Sequence, residues 1–454
     1  MENNILQKYN VPGPRYTSYP TVPYWDNGGF TSDVWKQSFL QAFDESNATE
    51  GISLYIHLPF CESMCTFCGC NKRVTRRHEV ETTYITAVLN EWNMYCDILP
   101  EKPRVKELHL GGGTPTFFSP ENIEILINGI FDRAEKASDY EFSFEGHPNN
   151  TTREHLQKLY YLGFRRVSFG VQDYDETVQK AIHRLQPFQN VAKVTFWAKE
   201  IGYTSISHDL VFGLPFQKVE TMVDTIEKTK ALNPDRISFY SYAHVPWIKG
   251  NGQRGYDEKN LPQGEEKRKL YEIGKVLLGE NNYHEIGMDH FALKSDALYT
   301  ALKEGKLHRN FMGYSASKTQ LMIGLGVSSI SDSWYAFVQN EKVLEDYYKR
   351  IESNELPVFR GHLLTDEDLV IRRHILNLMC SFETSWEDSS LYLSELPEIL
   401  LSLKEMENDG LLEFGKSSIK VTEEGKTYIR NICMAFDLRL KRKAPETKLF
   451  SMVV

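Results

Sequence analysis

The 454-residue chain contains no uninterrupted apolar run of about 18 residues, the length a membrane-spanning helix needs. Its opening, MENNILQKYN, has neither the basic start nor the apolar stretch of a secretory signal, so a cytoplasmic protein without a membrane partner is expected. Short-period repeats and low-complexity tracts are missing as well, and a hydrophobic content of 41% excludes disorder as the dominant state. Positive charge is in deficit. Fifty-two Lys and Arg stand against 62 Asp and Glu, for a net charge of -10, which disfavours non-specific binding to nucleic acid or anionic lipid and leaves room for a local basic pocket. Cysteine is sparse but unevenly placed: four of the seven fall at 61, 65, 68 and 70. An odd number gathered in one cluster argues against a secreted disulfide framework and for metal or redox chemistry under reducing conditions.

Residues 1–45 read as an arm, because VPGPRYTSYPTVPYW is too rich in Pro, Gly and aromatics for a regular element. From residue 52 a rhythm begins. The runs ISLYIHLPF, VKELHLGGG, YEFSFEGHP, RRVSFGVQ, SISHDLVFG and RISFYSYAH have strand character, and stretches of helical spacing separate them, with Ser119 and Thr151 as candidate N-caps. Six strand-then-helix units predict a parallel sheet, either an open barrel or a doubly wound one. The chemically unusual residues fall just after the strand runs, where such folds place their sites. Beyond about residue 360, RRHILNLMCSF and LPEILLSLKEMENDGLLEF look helical and SIKVTEEGKTYIRNICMAF reads as a hairpin leading into a helix. This C-terminal part resembles a winged-helix module; such modules read DNA or serve as packing or lid elements, and the acidic balance argues against the DNA reader.

The sequence Cys61-Glu-Ser-Met-Cys65-Thr-Phe-Cys68-Gly-Cys70 directly follows the first strand run. Gaps of three and two residues let one loop wrap three thiolates around a metal or cluster. A cluster held by three thiolates keeps one iron open, and an amino acid's amine and carboxylate can chelate that iron, as S-adenosylmethionine does in radical enzymes. Cys61, Cys65 and Cys68 are then the ligands, and Phe67 packs against the bound cofactor. A zinc knuckle using Cys70 as a fourth ligand and a ferredoxin-like electron carrier are the competing readings. Glycines 111 to 113, followed by Thr114, end the second strand run, where amides free of β-carbons can approach a carboxylate and Thr114 adds a hydroxyl. Glu145 closes the third run, Gln172 the fourth, and Asp209 lies within the fifth; polar groups at equivalent positions predict a polar cavity at the strand ends. Tyr55 and His57 share one strand face, His57 either orienting the cysteine loop or sitting satisfied in the core.

The Cys-x3-Cys-x2-Cys pattern after the first of six strand–helix units resembles the radical S-adenosylmethionine superfamily. PGPRYTSYPT, LYIHLPFCESMCTFCGCNK, HLGGGTPT, SFGVQD, HDLVFGLP, NPDRISFYSYAH, GMDHFA, LHRNF and RNICMAFD together resemble its oxygen-independent coproporphyrinogen III dehydrogenase family over nearly the whole chain. The resemblance implies a 4Fe-4S cluster and two S-adenosylmethionine molecules, bound by Tyr55, Phe67, Gly112, Gly113, Thr114, Glu145, Gln172, Arg184, Asp209, Ala243 and Ile330. It implies a partial (β/α)6 barrel over residues 46–358, an arm (1–45) over the active site, and a mostly helical, winged-helix-like domain (359–454).

The implied reaction is anaerobic oxidative decarboxylation of two propionates of coproporphyrinogen III to vinyl groups, giving protoporphyrinogen IX. No side chain is assigned as a direct acid or base, since the radical comes from the cofactor. A monomer is expected, served by a one-electron donor such as flavodoxin or ferredoxin. The competing function is a haem-binding chaperone of the same superfamily; the PGPRYTSYP arm and Cys70 favour the dehydrogenase. Two departures from the family are Gly146-His147-Pro148 after Glu145, and Met312, which stands where some relatives carry Gln.

Overall fold

A computed structural model gives the conformation of residues 2–26, 28–248, 252–445, 447 and 449–453. In the first strand, β1 (Ile52–Leu58), side chains alternate. Ile52, Leu54, Ile56 and Leu58 enter one large apolar cluster with Tyr84, Val88 and Trp92 of the helix Val80–Ile98, and Ser53, Tyr55 and His57 take the opposite face. The same alternation shapes β2 (Arg104–Gly112), β3 (Glu135–Gly146), β4 (Phe164–Gln172), β5 (Ser205–Phe212) and β6 (Arg236–Ser241). These six strands are parallel and neighbour one another in chain order. A doubly wound sheet reverses its order at a switch point; this one does not, so the helices wind one way and the sheet curls into a partial barrel.

The sheet continues past both ends. Strands β7 (His284–Ile286) and β8 (His290–Ala292) extend it antiparallel beyond β6. On the other side β9 (Met322–Leu325) lies parallel to β1, followed by antiparallel β10 (Ile330–Asp332), β11 (Ala336–Asn340) and β12 (Val358–Leu363). The order across all twelve is β12-β11-β10-β9-β1-β2-β3-β4-β5-β6-β8-β7. Strand β12 therefore pairs within the central sheet although it begins at residue 358, where the barrel domain is expected to end.

Local structure differs from expectation at three places. The helix Arg153–Leu162 is capped by Thr152, whose hydroxyl accepts from the His155 amide at 3.2 Å, rather than by Thr151; Ser119 caps as expected. A helix also spans Ser32–Ser46, with Trp35, Phe39, Ala42 and Phe43 on one buried face. The helix Leu396–Asn408 stops before Gly410, whose φ is +76°, and Leu412–Phe414 is a strand where a helix was expected to continue. With Glu383–Ser385 and Ser418–Val421 it makes a three-stranded antiparallel sheet beside the helices Asp366–Ser381 and Ile429–Phe436, so the hairpin expected within residues 418–436 is instead one strand paired with two that precede it. Among the described residues no helix is long and apolar enough to cross a membrane.

The arm is built into this C-terminal part. Tyr16 and Tyr19 are each 2% exposed and join its core with Ile371, Ile375, Ile432 and Phe436. Arg430 donates to the carbonyls of Pro14, at 2.8 Å, and Gly13, while Gly13 and Val11 pair with Ser451 and Val453 through backbone bonds. Arg372 holds the C-terminal part to the sheet, donating to both carboxylate oxygens of Asp332 at 3.1 and 2.5 Å and to the Trp334 carbonyl at 2.8 Å.

Glu91 on the helix Val80–Ile98 is fully buried, accepting from the Gly326 amide at 2.8 Å, Tyr347 at 2.7 Å and Asn340 at 2.6 Å. Burial outweighs these donors and pushes its pKa from 4.5 up to about 7. Across that window the folded chain keeps a proton that the unfolded chain has lost, so stability falls as pH rises from 5 to 8, by about 3 kcal/mol from this group. Urea unfolding at the two pH values measures the drop. Glu91→Gln should be less stable throughout, with a visibly flatter profile.

Candidate active site

Because parallel neighbours in register face the same way, the polar positions of β1 to β6 form layers inside the barrel. His57 pairs with Gly111, Glu145 with Ser168, Gly170 with Asp209, and Asp209 with Ser238. A register shift between Gly170 and Gln172, with φ +70° at Gln172, ends β4 irregularly and brings Gln172 to the strand-end pocket. Burial pushes the Asp209 pKa up.

The cysteine loop is closed at its base by a short parallel ladder in which Phe60 pairs with Arg73 and Cys61 with Val74. His57 decides between its two readings here. Its Nε2 lies 2.9 Å from the Asn71 carbonyl, which can only accept, so Nε2 carries the proton and Nδ1 accepts from the Tyr55 hydroxyl at 3.0 Å. Burial pushes the His57 pKa down, in keeping with this neutral ring. His57 thus orients the end of the loop. Farther along, Thr66 is anchored on the carbonyls of Ile182, by its amide, and Ala181, by its hydroxyl, both at 2.9 Å. This brings Arg184 to the thiols: its Nη1 is 3.6 Å from Cys65 Sγ, its Nη2 donates to the Gly170 carbonyl at 2.5 Å, and its Nε is buried without a partner.

The glycine run serves a different purpose from the one anticipated. The Gly113 amide donates to the Leu58 carbonyl at 2.8 Å, the Thr114 amide to the Phe60 carbonyl at 3.0 Å, and the Gly112 amide to Glu145 at 3.3 Å. These amides are spent inside the protein, so the groups left for a ligand are carbonyl oxygens, which suit an ammonium better than a carboxylate. Lack of a β-carbon lets this turn press on the loop: at Gly113 a Cβ would stand 2.6 Å from the Pro59 carbonyl, and at Gly112 2.8 Å from the His57 ring. Gly146 is less confined, a β-carbon there standing 3.0 Å from the Phe169 ring and the Thr151 hydroxyl.

Cys61, Cys65, Cys68, Phe67, Gly112, Gly113, Thr114, Glu145, Gln172, Arg184 and Asp209 line one pocket of about 400 Å³. Tyr55 lies beneath it, its ring 3.0 Å from where a Gly111 β-carbon would be. Ala243 joins through Gln253, whose side-chain amide donates to the Ala243 carbonyl at 2.8 Å and the Phe67 carbonyl at 3.1 Å. Ile330 opens β10 and packs with Trp25, Phe337 and Leu364, outside this pocket. Met312 sits in the turn of the small hairpin His308–Asn310/Gly313–Ser315, also outside it. Thr66, Gln253 and the pocket-lining Lys72, Arg76 and His147 were not singled out as site residues from sequence, since nothing in their local pattern separates them from ordinary loop residues.

The thiols are unequal. Burial pushes Cys61 up to about 11, although Thr114 donates to its sulfur at 3.4 Å. A hydrogen bond with Cys70 draws Cys68 down to about 6 and drives Cys70 the other way. Four thiols line this pocket, Cys70 among them, with an unpartnered guanidinium nitrogen and the carboxylates of Glu62, Glu145 and Asp209, a donor set that fits a cluster chelated by an amino acid. Among the described residues no three His, Cys, Asp or Glu side chains converge on a single ion-sized point.

The sequence profile of the Radical SAM superfamily matches residues 55–229, from β1 into the helix Val219–Leu232. Oxygen-independent coproporphyrinogen III oxidase of Helicobacter pylori (strain ATCC 700392 / 26695) is 39% identical, over 96% of each chain. The Escherichia coli (strain K12) enzyme of that name is 37% identical, over 99% of this chain and 98% of the relative. The solved structure of coproporphyrinogen III oxidase (HemN) from Escherichia coli superposes with a TM-score of 0.88 at 35% identity, covering 93% of this chain and 97% of that one. With similarity running from the arm through the cysteine loop to the C-terminal part, this chain belongs to the oxygen-independent coproporphyrinogen III oxidase family of radical SAM enzymes.

Proposed function

We propose that Cys61, Cys65 and Cys68 are the protein ligands of the 4Fe-4S cluster with which this enzyme decarboxylates coproporphyrinogen III anaerobically, converting two propionates to vinyl groups and yielding protoporphyrinogen IX. The observation that carries the assignment is the single pocket at the ends of the parallel strands, where these thiols meet Glu145, Arg184 and Asp209. When bound, the cluster and S-adenosylmethionine supply a 5'-deoxyadenosyl radical able to take hydrogen from a propionate β-carbon. The chain's own part is to bind, orient and exclude water. Carbonyls at Gly112 and Gly113, with Glu145, receive the methionine ammonium; Arg184 offers its free Nε to the carboxylate. Gln172 and Asp209 offer acceptors to ribose hydroxyls, and Phe67 gives an apolar face. Tyr55 acts through His57, which fixes the loop.

Two S-adenosylmethionine molecules per chain, a donor of the flavodoxin or ferredoxin class and a monomeric state belong to the same proposal. Anaerobic, reconstituted protein given reductant, S-adenosylmethionine and coproporphyrinogen III should form both vinyl product and 5'-deoxyadenosine. Cofactor cleavage without decarboxylation would sink the substrate assignment, and stable haem binding without turnover would favour the chaperone. Arg184→Ala is expected to weaken S-adenosylmethionine binding about ten- to a hundredfold in equilibrium dialysis while iron content holds. Arg184→Lys should recover little, since an ammonium cannot reproduce the planar fork.

A further inference from the structure

We propose that the basic segment immediately after the cysteine loop is the landing surface for an acidic one-electron carrier protein. The proposal rests on the cluster assignment above. Lys72, Arg73, Arg76 and Arg77 lie within six residues that include no acid, in a chain whose net charge is -10. Arg73, Arg76 and Arg77 are exposed. Arg73 has one ion-pair partner, Glu345 at 3.3 Å, with both side chains more than half exposed, and such a pair holds weakly. Among the described residues Arg76 and Arg77 meet no carboxylate at ion-pair distance, so their field is available to a partner.

Position gives this charge its meaning. The segment is laddered onto the backbone of a proposed ligand: the Arg73 amide donates to the Pro59 carbonyl at 2.8 Å and the Thr75 amide to the Cys61 carbonyl at 2.9 Å. Lys72 bonds the Cys68 and Cys70 carbonyls, and Lys72 and Arg76 line the same pocket as the thiols. Val74, 44% exposed, sets an apolar side chain between Arg73 and Arg76. A small, predominantly basic patch with an apolar side chain in it is what a transient redox encounter uses, with electrostatic steering doing more for the rate than for the affinity. One electron would pass from the reduced carrier into the cluster, with no bond made between the proteins.

A substrate with several carboxylates could also answer to these cations, and the test separates the two. Reconstituted Arg73→Glu/Arg77→Glu protein is mixed anaerobically with a reduced flavodoxin of strongly negative charge, and bleaching of the cluster's visible absorbance is followed by stopped flow. The second-order rate constant should fall about tenfold or more at low ionic strength, and the gap should close at high salt. Arg73→Gln/Arg77→Gln should fall between. Reduction by photoreduced 5-deazariboflavin, which carries no net charge, should be unchanged, as should the KM for coproporphyrinogen III with that reductant. An unaltered flavodoxin rate at normal iron content overturns the proposal, and so does a raised substrate KM with an unaltered rate. Protein that takes up no iron on wild-type Cys61, Cys65 and Cys68 would sink the cluster assignment and this proposal together.

Discussion

Cys61→Ser protein should purify folded, colourless and nearly iron-free, with turnover at least about a thousandfold below the parent. A serine oxygen can still accept from the Thr114 hydroxyl that now reaches Cys61 Sγ at 3.4 Å, and the backbone ladder with Val74 does not involve the side chain. The fold is therefore spared while ligation is not. A hydroxyl is a far weaker ligand for iron than a thiolate, and changes merely adjacent to metal ligands already cost ten- to a hundredfold in affinity or activity. Iron and sulfide analysis, visible absorbance and 5'-deoxyadenosine formation give three independent readings, with far-ultraviolet dichroism confirming the fold. Retained iron together with retained cofactor cleavage would refute Cys61 as a ligand.

The largest expected effect on stability is at Asp332. Its carboxylate takes both outer nitrogens of Arg372, whose side chain is 8% exposed and whose guanidinium lies 4.1 Å from the Trp334 ring. Asp332→Ala leaves that cation buried with the Trp334 carbonyl and the ring as compensation. Breaking a buried pair from one side usually costs about 3–5 kcal/mol, far more than the pair contributes against an apolar replacement. Because Arg372 stands on the helix Asp366–Ser381 and Asp332 on β10, the loss falls on the joint between the C-terminal part and the central sheet. Denaturant unfolding should show the drop, and limited proteolysis should cut first near residues 364–366. The double variant Asp332→Ala/Arg372→Met, which leaves neither charge buried alone, should be the milder change; equal costs for the single and the double variant would contradict the account.

Much of this was legible in sequence, and the physics says which parts. β1 to β6 announce themselves because one face of each must pack against helices and the other meets a polar interior, so period-two alternation is written into them. β9 carries no such signal: Met322, Ile323, Gly324 and Leu325 are all buried, and a strand covered on both faces has no period to detect. Neither the helix Phe188–Ile201 nor the helix Ser32–Ser46 is expected from the pattern above, the latter because the proline- and aromatic-rich stretch before it sets the character of the whole arm. In the site, the cysteine spacing carried its own geometry, since one short loop holds every ligand. Arg184 beside Cys65, or Gln253 between Phe67 and Ala243, depends on contacts across 119 and 186 residues that no local pattern encodes. The glycine turn was located correctly, but its amides were already committed to Leu58, Phe60 and Glu145, and only the packed structure reveals that.

The grip of Arg430 on Pro14 and Gly13 has a temporal side. The two partners are 416 residues apart, so at ordinary synthesis rates of about 5–20 residues per second the arm exists for roughly 20–80 s before its seat is made. Throughout that interval Tyr16 and Tyr19 have no core to enter, because Ile371, Ile375, Ile432 and Phe436 have not all been joined to the chain. A segment made 416 residues ahead of its anchor is thus placed late. A chain stalled or truncated before residue 430 would carry an assembled barrel with a loose aromatic arm, a ready handle for chaperones or proteases that sort incomplete products from finished enzyme.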